Sequence, residues 1–96
     1  MGIELGQLVM TQGIDARIRD RDDTDFADHV ARCVGRHRME DWGDVCDMDK
    51  ETNNLALSTD QPGRLMSVYE HPEHPKIWII TEWDRSVTTV LFPDEY

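Results

Sequence analysis

Apolar residues recur along the chain with two different periods, and the change of period predicts the order of strands and helices. Near the start, ELGQLVMTQG places Leu5, Leu8 and Val9 before a turn at Gly13, which predicts a short strand. The next run, IDARIRDRDD, carries two isoleucines four residues apart among charges. This spacing predicts a short helix of one or two turns.

The segment DTDFADHVARCVGRHR has the clearest helical period. Phe26, Val30 and Cys33 recur at intervals of four and three residues, so they are expected to share the face that packs on the core. Acidic residues lie in its first turns and basic residues follow its last turn, as the helix dipole favours. Gly35 predicts the end of this helix. The residues able to cap its start are Asp23 and Thr24.

A third helix is predicted within MEDWGDVCDMDKETNNLALS, which begins as an acidic loop. Met48, Thr52 and Leu55 follow a helical spacing with Ala56 beside them, so these side chains are expected to share one face of the helix. The residues able to cap it are Asp47 and Asp49. Pro62 and Gly63 then mark a turn.

Three strands are predicted after this turn, in RLMSVYEH, KIWIITEW and VTTVLFP. Their links are short, whereas a parallel connection needs about a dozen residues, so an antiparallel meander is expected. The order of elements is a short N-terminal strand, two to three helices and then this meander. It predicts a single α+β domain over residues 1–96, packed in two layers.

The charge of the chain bears on the class of partner. It carries 20 Asp and Glu against 10 Lys and Arg, a formal net charge of −10. This charge repels phosphate backbones and anionic membranes, and it attracts a basic surface such as a groove that holds nucleic acid. No run of about 18 apolar residues occurs, and no signal peptide is recognised. With only two cysteines, the sequence predicts a cytoplasmic protein, either monomer or homodimer.

An acidic segment, EDWGDVCDMDKE, supplies the main candidate for partner binding. It can be a solvated surface at a helix start, or a concentrated negative patch with Trp42 as an aromatic anchor. Trp42 is equally able to cover the end of the core. The acids of this segment are Glu40, Asp41, Asp44, Asp47, Asp49 and Glu51.

The corner between the last two predicted strands offers an alternative. Asp84 and Ser86 are turn-forming residues, so a structural corner is the simpler interpretation. The alternative is a small enzyme or ligand-binding domain whose site gathers polar groups around the end of the sheet. Its residues would be Trp42, Glu82, Asp84, Arg85 and Thr88.

The sequence contains no complete motif that predicts a metal, cofactor or catalytic site. Cys33 and His37 lie four apart, and Cys46 follows, but no paired Cys or His ligands complete a zinc pattern. His71 and His74 lie between prolines in HPEHP, which predicts a solvated loop. No phosphate loop, dinucleotide motif or zinc-protease motif occurs. The sequence therefore predicts a protein that is not an enzyme and has no cofactor.

The segments DWG, DKETNNLAL, GRLMSVY and KIWIITEWDRSVTTVLFPDEY resemble a family of small, uncharacterised bacterial proteins carried on plasmids and phages. The resemblance covers residues 5–96, and the chain departs from it in the Asp- and Arg-rich RIRDRDDTDFADH. It implies carriage on mobile DNA and a small α+β domain. Mobile elements carry acidic proteins that block host defences, so an inhibitor of a CRISPR or restriction complex that mimics nucleic acid is the expected function.

Overall fold

A computed structural model of the protein describes residues 2–22, 24–58 and 60–96. It shows three helices and one four-stranded mixed sheet, so the predicted α+β class is confirmed. The elements are β1 (Gln7–Met10), α1 (Gln12–Ile18), α2 (Thr24–Arg38), α3 (Asp47–Ala56), β2 (Leu65–Tyr69), β3 (Ile77–Thr81), β4 (Val87–Leu91) and a closing 3₁₀ turn (Pro93–Glu95).

The sheet has the strand order β1-β4-β3-β2. Strands β2, β3 and β4 form the predicted antiparallel meander, with Ser67 opposite Ile79 and Ile79 opposite Val90. The sequence did not predict which strand β1 pairs with. It pairs with β4 in parallel, and Leu8 lies opposite Thr88. The helices between β1 and the meander supply the long crossover that this parallel pair requires.

The main core lies between one face of the sheet and helices α1 and α2. The predicted inner face of α2 is confirmed, because Phe26, Val30 and Cys33 are all buried there. The rest of this core consists of Ile14 from α1 and of Tyr69, Ile77, Ile79 and Val90 from the sheet.

Helix α2 continues beyond the residue predicted to end it. Gly35 lies within the helix and is exposed, and the helix runs on to Arg38. It ends where Glu40 takes a left-handed backbone conformation, with φ at 66°, and the Asp41 amide donates to the carbonyl of Arg36. The prediction from Gly35 was wrong because a glycine ends a helix only where the chain turns left-handed. Asp23, one of the two predicted caps, lies outside the described residues.

A second, smaller core lies at the β2 end of the sheet. Trp42, Val45, Ala56 and Leu65 are buried together there, beneath α3. None of the described helices is long and apolar enough to cross a lipid bilayer.

Candidate protein-binding surface

Helix α3 is attached to the sheet by a polar side chain. The Asn53 carboxamide donates to the carbonyl of Met66 at 2.7 Å and accepts from the Met66 amide at 3.1 Å. These bonds satisfy backbone groups on the outer edge of β2, where an unpaired strand edge would otherwise be exposed. Gly43 pairs with Val68 along the same edge as an isolated parallel bridge. The edge of β2 is therefore closed by the chain itself.

This attachment turns the predicted apolar face of α3 outward. Met48 is 76% exposed and Leu55 is 70% exposed, with Thr52 also exposed between them. The side chains that α3 buries are Asn53 and Ala56. Met48, Thr52 and Leu55 share one side of α3, and that side is exposed because the helix packs on the sheet through Asn53 and Ala56.

The acids of the candidate segment divide into two groups. Asp41 and Asp44 are tied to the protein: Asp41 pairs with Arg36 at 2.8 Å, and Asp44 accepts the amide of Glu70 at 2.8 Å. The hydrogen bond from Arg36 holds the pKa of Asp41 below its ordinary value. Glu40 is exposed in the turn after α2. The remaining acids, Asp47, Asp49 and Glu51, are exposed in the first turns of α3.

We call the exposed side of α3 the α3 outer face. It combines a negative helix start with an apolar stripe, and Lys50 is the basic residue among its acids. Acids at a helix N-terminus are favoured by the dipole, so their presence alone is explained by helix stability. The exposed Met48 and Leu55 have no such explanation within the fold. The α3 outer face consists of Asp47, Met48, Glu51, Thr52 and Leu55, with the exposed Asp49 at its margin, four residues before the buried Asn53.

Trp42 does not belong to this face. It is only 4% exposed, and its indole nitrogen donates to the Asn54 carboxamide at 3.1 Å. Its ring meets the His37 ring edge-on, with 5.6 Å between their centroids. The proposed role of Trp42 as an anchor for a partner is therefore replaced by the other interpretation, in which it covers the end of the core.

The corner between β3 and β4 is held by Arg85. Its guanidinium donates to the carbonyls of Ala56 at 2.8 Å and Gly63 at 2.6 Å. Ala56 is the last residue of α3, whose terminal carbonyls have no partner within the helix. Arg85 has a left-handed backbone, with φ at 60°, which closes the corner. Its side chain thus joins the corner to the end of α3.

The side chains of the other residues of the alternative site do not converge with Arg85, whose guanidinium donates to the backbone carbonyl of Glu82 at 3.0 Å. Asp84 is exposed and accepts bonds from Ser86, while Glu82 pairs with Arg64 at 3.4 Å. Thr88 is fully buried. These residues face different surroundings, so they do not line a common space for a substrate.

A buried polar network, which was not predicted from the sequence, links three strands of the sheet to α2. His37 is fully buried, and its ring nitrogens lie 2.5 Å from Ser67 Oγ and 2.9 Å from Thr81 Oγ1. Thr81 Oγ1 in turn lies 2.7 Å from Thr88 Oγ1, whose hydroxyl also lies 2.7 Å from the carbonyl oxygen of Leu5. The only signal in the sequence is a polar residue at the inward position of each strand of the meander.

His37 and Ser67 are residue types that serve as base and nucleophile in enzymes, but the likeness ends with their chemical type. Burial, with a smaller contribution from Arg85, lowers the pKa of His37 to about 4, so the ring is neutral at physiological pH. Ser67 is fully buried beside it. A nucleophile must reach a substrate, and a dyad sealed beneath α2 does not. The network therefore satisfies buried polar groups and joins three strands to a helix.

Three histidine rings meet where the β2–β3 loop packs on α2. The centroids of His29, His71 and His74 are 4.7 to 4.9 Å apart, and Cys33 Sγ lies 3.7 Å from a nitrogen of His29. The predicted loop is present, but its two histidines are half-buried rather than fully solvated. Burial raises the pKa of the Cys33 thiol to about 11. Within the described ranges, no three His, Cys, Asp or Glu residues are placed to hold a metal ion.

In comparisons with known proteins, no family model, no curated protein and no solved structure matched this chain.

Proposed function

We propose that this protein is a non-enzymatic interaction protein whose α3 outer face binds and inhibits a basic, nucleic-acid-handling protein. The observation that supports it best is the rotation of α3. Asn53 faces the sheet, so Met48 and Leu55 are exposed beside the acids of the first turns. A helix held in this way presents apolar and acidic side chains together, and both contribute to binding.

The two kinds of side chain have different roles in such a complex. A net charge of −10 steers the protein toward a positive surface and increases the rate of encounter. Met48 and Leu55 bury apolar area at the contact, where a few well-packed side chains supply most of the affinity. Methionine adapts to irregular surfaces because its side chain is flexible. A basic groove with an apolar floor is the surface that matches.

The class of partner is proposed from charge and from the family resemblance. Proteins that hold nucleic acid in a basic groove include CRISPR effector complexes and restriction enzymes. Carriage on plasmids and phages, which the resemblance implies, would make these complexes the host targets. We therefore place the protein in the cytoplasm and propose that it occupies a site otherwise held by nucleic acid.

A pull-down followed by a quantitative binding assay tests this function. The tagged protein is used to capture partners from a host that carries CRISPR and restriction systems, and each captured complex is purified. Binding is then measured between about 50 and 500 mM NaCl. The proposal expects binding that weakens as salt screens the charges, and competition with the nucleic acid of that complex.

Matched variants locate the contact. Asp47→Lys, Asp49→Lys and Glu51→Lys together should abolish binding, and Met48→Ser with Leu55→Ser should weaken it at least tenfold. The control makes the same change of net charge elsewhere, at the exposed Glu4, Asp22 and Asp94, each replaced by Lys. If both triple variants lose binding equally, only net charge matters and the α3 outer face is not the site. If no captured defence complex binds in a salt-dependent way, the proposed function is wrong.

A further inference from the structure

Strand β1 leaves one edge of the sheet open. It is the first strand in the order β1-β4-β3-β2, and no described residue pairs with its outer side. The amides of Gln7 and Thr11 donate to Ser86 and Val90 of the β4 side. Because alternate residues of a strand direct their backbone groups to opposite sides, those of Leu8 and Met10 point to the open edge. The opposite edge of the sheet, at β2, is closed by Asn53 and Gly43.

An apolar groove runs beside this open edge. It has a volume of about 360 Å³ and lies between β1, the end of α1 and the outer side of α2. Leu8 is 43% exposed, and Val9, on the other side of the strand, is 38% exposed. The small residues of α2 leave room for a second element to approach closely. The groove is lined mainly by Leu8, Met10, Ile18, Ala27, Ala31 and Val34.

The charges of α2 are divided between its two ends. Asp25 and Asp28 lie in its first half, and Arg32 and Arg38 lie in its second half, all exposed. Arg36 is engaged by Asp41. By helical spacing, Arg38 continues the groove-lining side of α2, whereas Asp25, Asp28 and Arg32 lie on a different side. The whole chain has a charge of −10, so a second copy is repelled by most of this protein, and the repulsion is weakest at the groove-lining side of α2, where the described residues that line the groove include no acid.

We propose that two copies of this chain associate through β1 and the groove beside it. The β1 strands pair antiparallel around a two-fold axis at Val9, so that Leu8 of each copy lies opposite Met10 of the other. This register uses the outward backbone groups of both residues. The α2 helices then also run antiparallel, and their uncharged faces, which carry Ala27, Ala31 and Val34, approach each other across the two-fold axis. The surface is self-complementary, as a two-fold interface requires.

The pairing has a structural consequence for the rest of the molecule. It joins two four-stranded sheets into one continuous sheet of eight strands. Helix α3 packs at the β2 edge, which is the edge opposite to β1. The two α3 outer faces therefore lie at the far ends of the dimer and stay open. Association of copies and binding of a basic partner thus use separate surfaces and can be tested independently.

Salt distinguishes the two kinds of association. Each copy carries a charge of −10, so screening weakens the repulsion between copies. The dimer is expected to become tighter as salt rises from about 50 to 500 mM, whereas binding to a basic partner becomes weaker.

Sedimentation equilibrium of the full chain, at concentrations from about 1 to 500 μM in both salts, tests the proposal. The expected result is a monomer–dimer equilibrium between 11.2 kDa and twice that mass. Leu8→Glu should raise the dissociation constant at least tenfold, because it places a charge in the interface. The control is Leu55→Glu, which makes the same change on the α3 outer face and should leave the dimer unchanged.

Two further variants keep the test decisive if Leu8→Glu does not fold. Ala31→Glu introduces a charge at an exposed helix position, and Leu8→Pro removes an outward amide that the edge strand does not use internally. Either should favour the monomer. A chain that stays monomeric at every concentration and salt overturns the proposal, and so does a dimer with an unchanged dissociation constant in all folded variants. Loss of partner binding by Leu55→Glu bears only on the proposed function.

Discussion

The Asn53 carboxamide makes both of its hydrogen bonds to the backbone of one residue, Met66. It reproduces the pairing that a neighbouring strand would give to the edge of β2. This side chain therefore closes the β2 edge beside the Gly43–Val68 bridge, and together with the buried Ala56 it fixes which side of α3 meets solvent. The outward position of Met48 and Leu55 follows from this pair.

Replacing Asn53 tests its role directly. Asn53→Ala removes one donor and one acceptor from a buried position and should lower the free energy of unfolding by about 2 kcal/mol. Thr52→Ala, at the exposed neighbouring position, should cost less than about 0.5 kcal/mol. Urea unfolding monitored by tryptophan fluorescence gives both values. Equal costs for the two variants would mean that the Asn53–Met66 pair does not hold α3.

The dependence of folding stability on pH should reflect the protonation of His37. Its pKa is lowered to about 4 in the folded protein and returns to about 6.5 on unfolding. The unfolded chain thus binds the proton first, and stability falls as pH drops from 6.5 to 4. His37 is fully buried, and this gap corresponds to about 3 kcal/mol.

Urea unfolding between pH 4 and 7.5 measures this effect. His37→Gln removes the titrating group, and its unfolding free energy should depend less on pH over the same range. All other ionisable groups are common to both proteins, so the difference between their curves isolates His37. Parallel curves would contradict a neutral, buried His37.

Two glycines should respond in opposite directions to the same substitution. Gly35 lies inside α2, where an added Cβ meets nothing within 4 Å, so Gly35→Ala should stabilise the protein by about 1 kcal/mol. Gly43 has φ at 74°, and an added Cβ would collide with the Val68 carbonyl and the Tyr69 ring. Gly43→Ala should cost at least about 2 kcal/mol. Thermal unfolding followed by circular dichroism compares both, and a stabilised Gly43→Ala variant would exclude this geometry.

Substitutions at Arg85 separate its side chain from its backbone. Arg85→Ala removes the bonds to Ala56 and Gly63 and should lower the free energy of unfolding by about 2 kcal/mol. Arg85→Gly removes the same bonds but tolerates the φ of 60°, so it should be about 1 kcal/mol more stable than Arg85→Ala. Urea unfolding tests the order. If both variants are as stable as the parent, the corner does not depend on this side chain.

The candidate surface could be predicted only in part from the sequence. The acidic segment was recognisable from composition, and Asp47, Asp49 and Glu51 are indeed exposed on α3. The apolar part was not, because a helical spacing of Met48, Thr52 and Leu55 normally indicates a buried face. That inference fails in α3, because Asn53 binds the edge of β2 and the apolar stripe is left facing solvent. Trp42 was ambiguous for a similar reason, since an aromatic residue can anchor a partner or cover a core.

The sequence by itself determined the features that depend on near neighbours: the helical period of α2, the three strands of the meander and the net charge. The tertiary structure decided the parallel pairing of β1 with β4, the rotation of α3 and the buried network of His37. Each of these joins residues at least 13 positions apart, such as Asn53 with Met66 or Leu8 with Thr88. A periodic pattern records which side of an element is apolar. It does not record which distant hydrogen-bonding groups that side will meet, because this depends on how all the elements pack together.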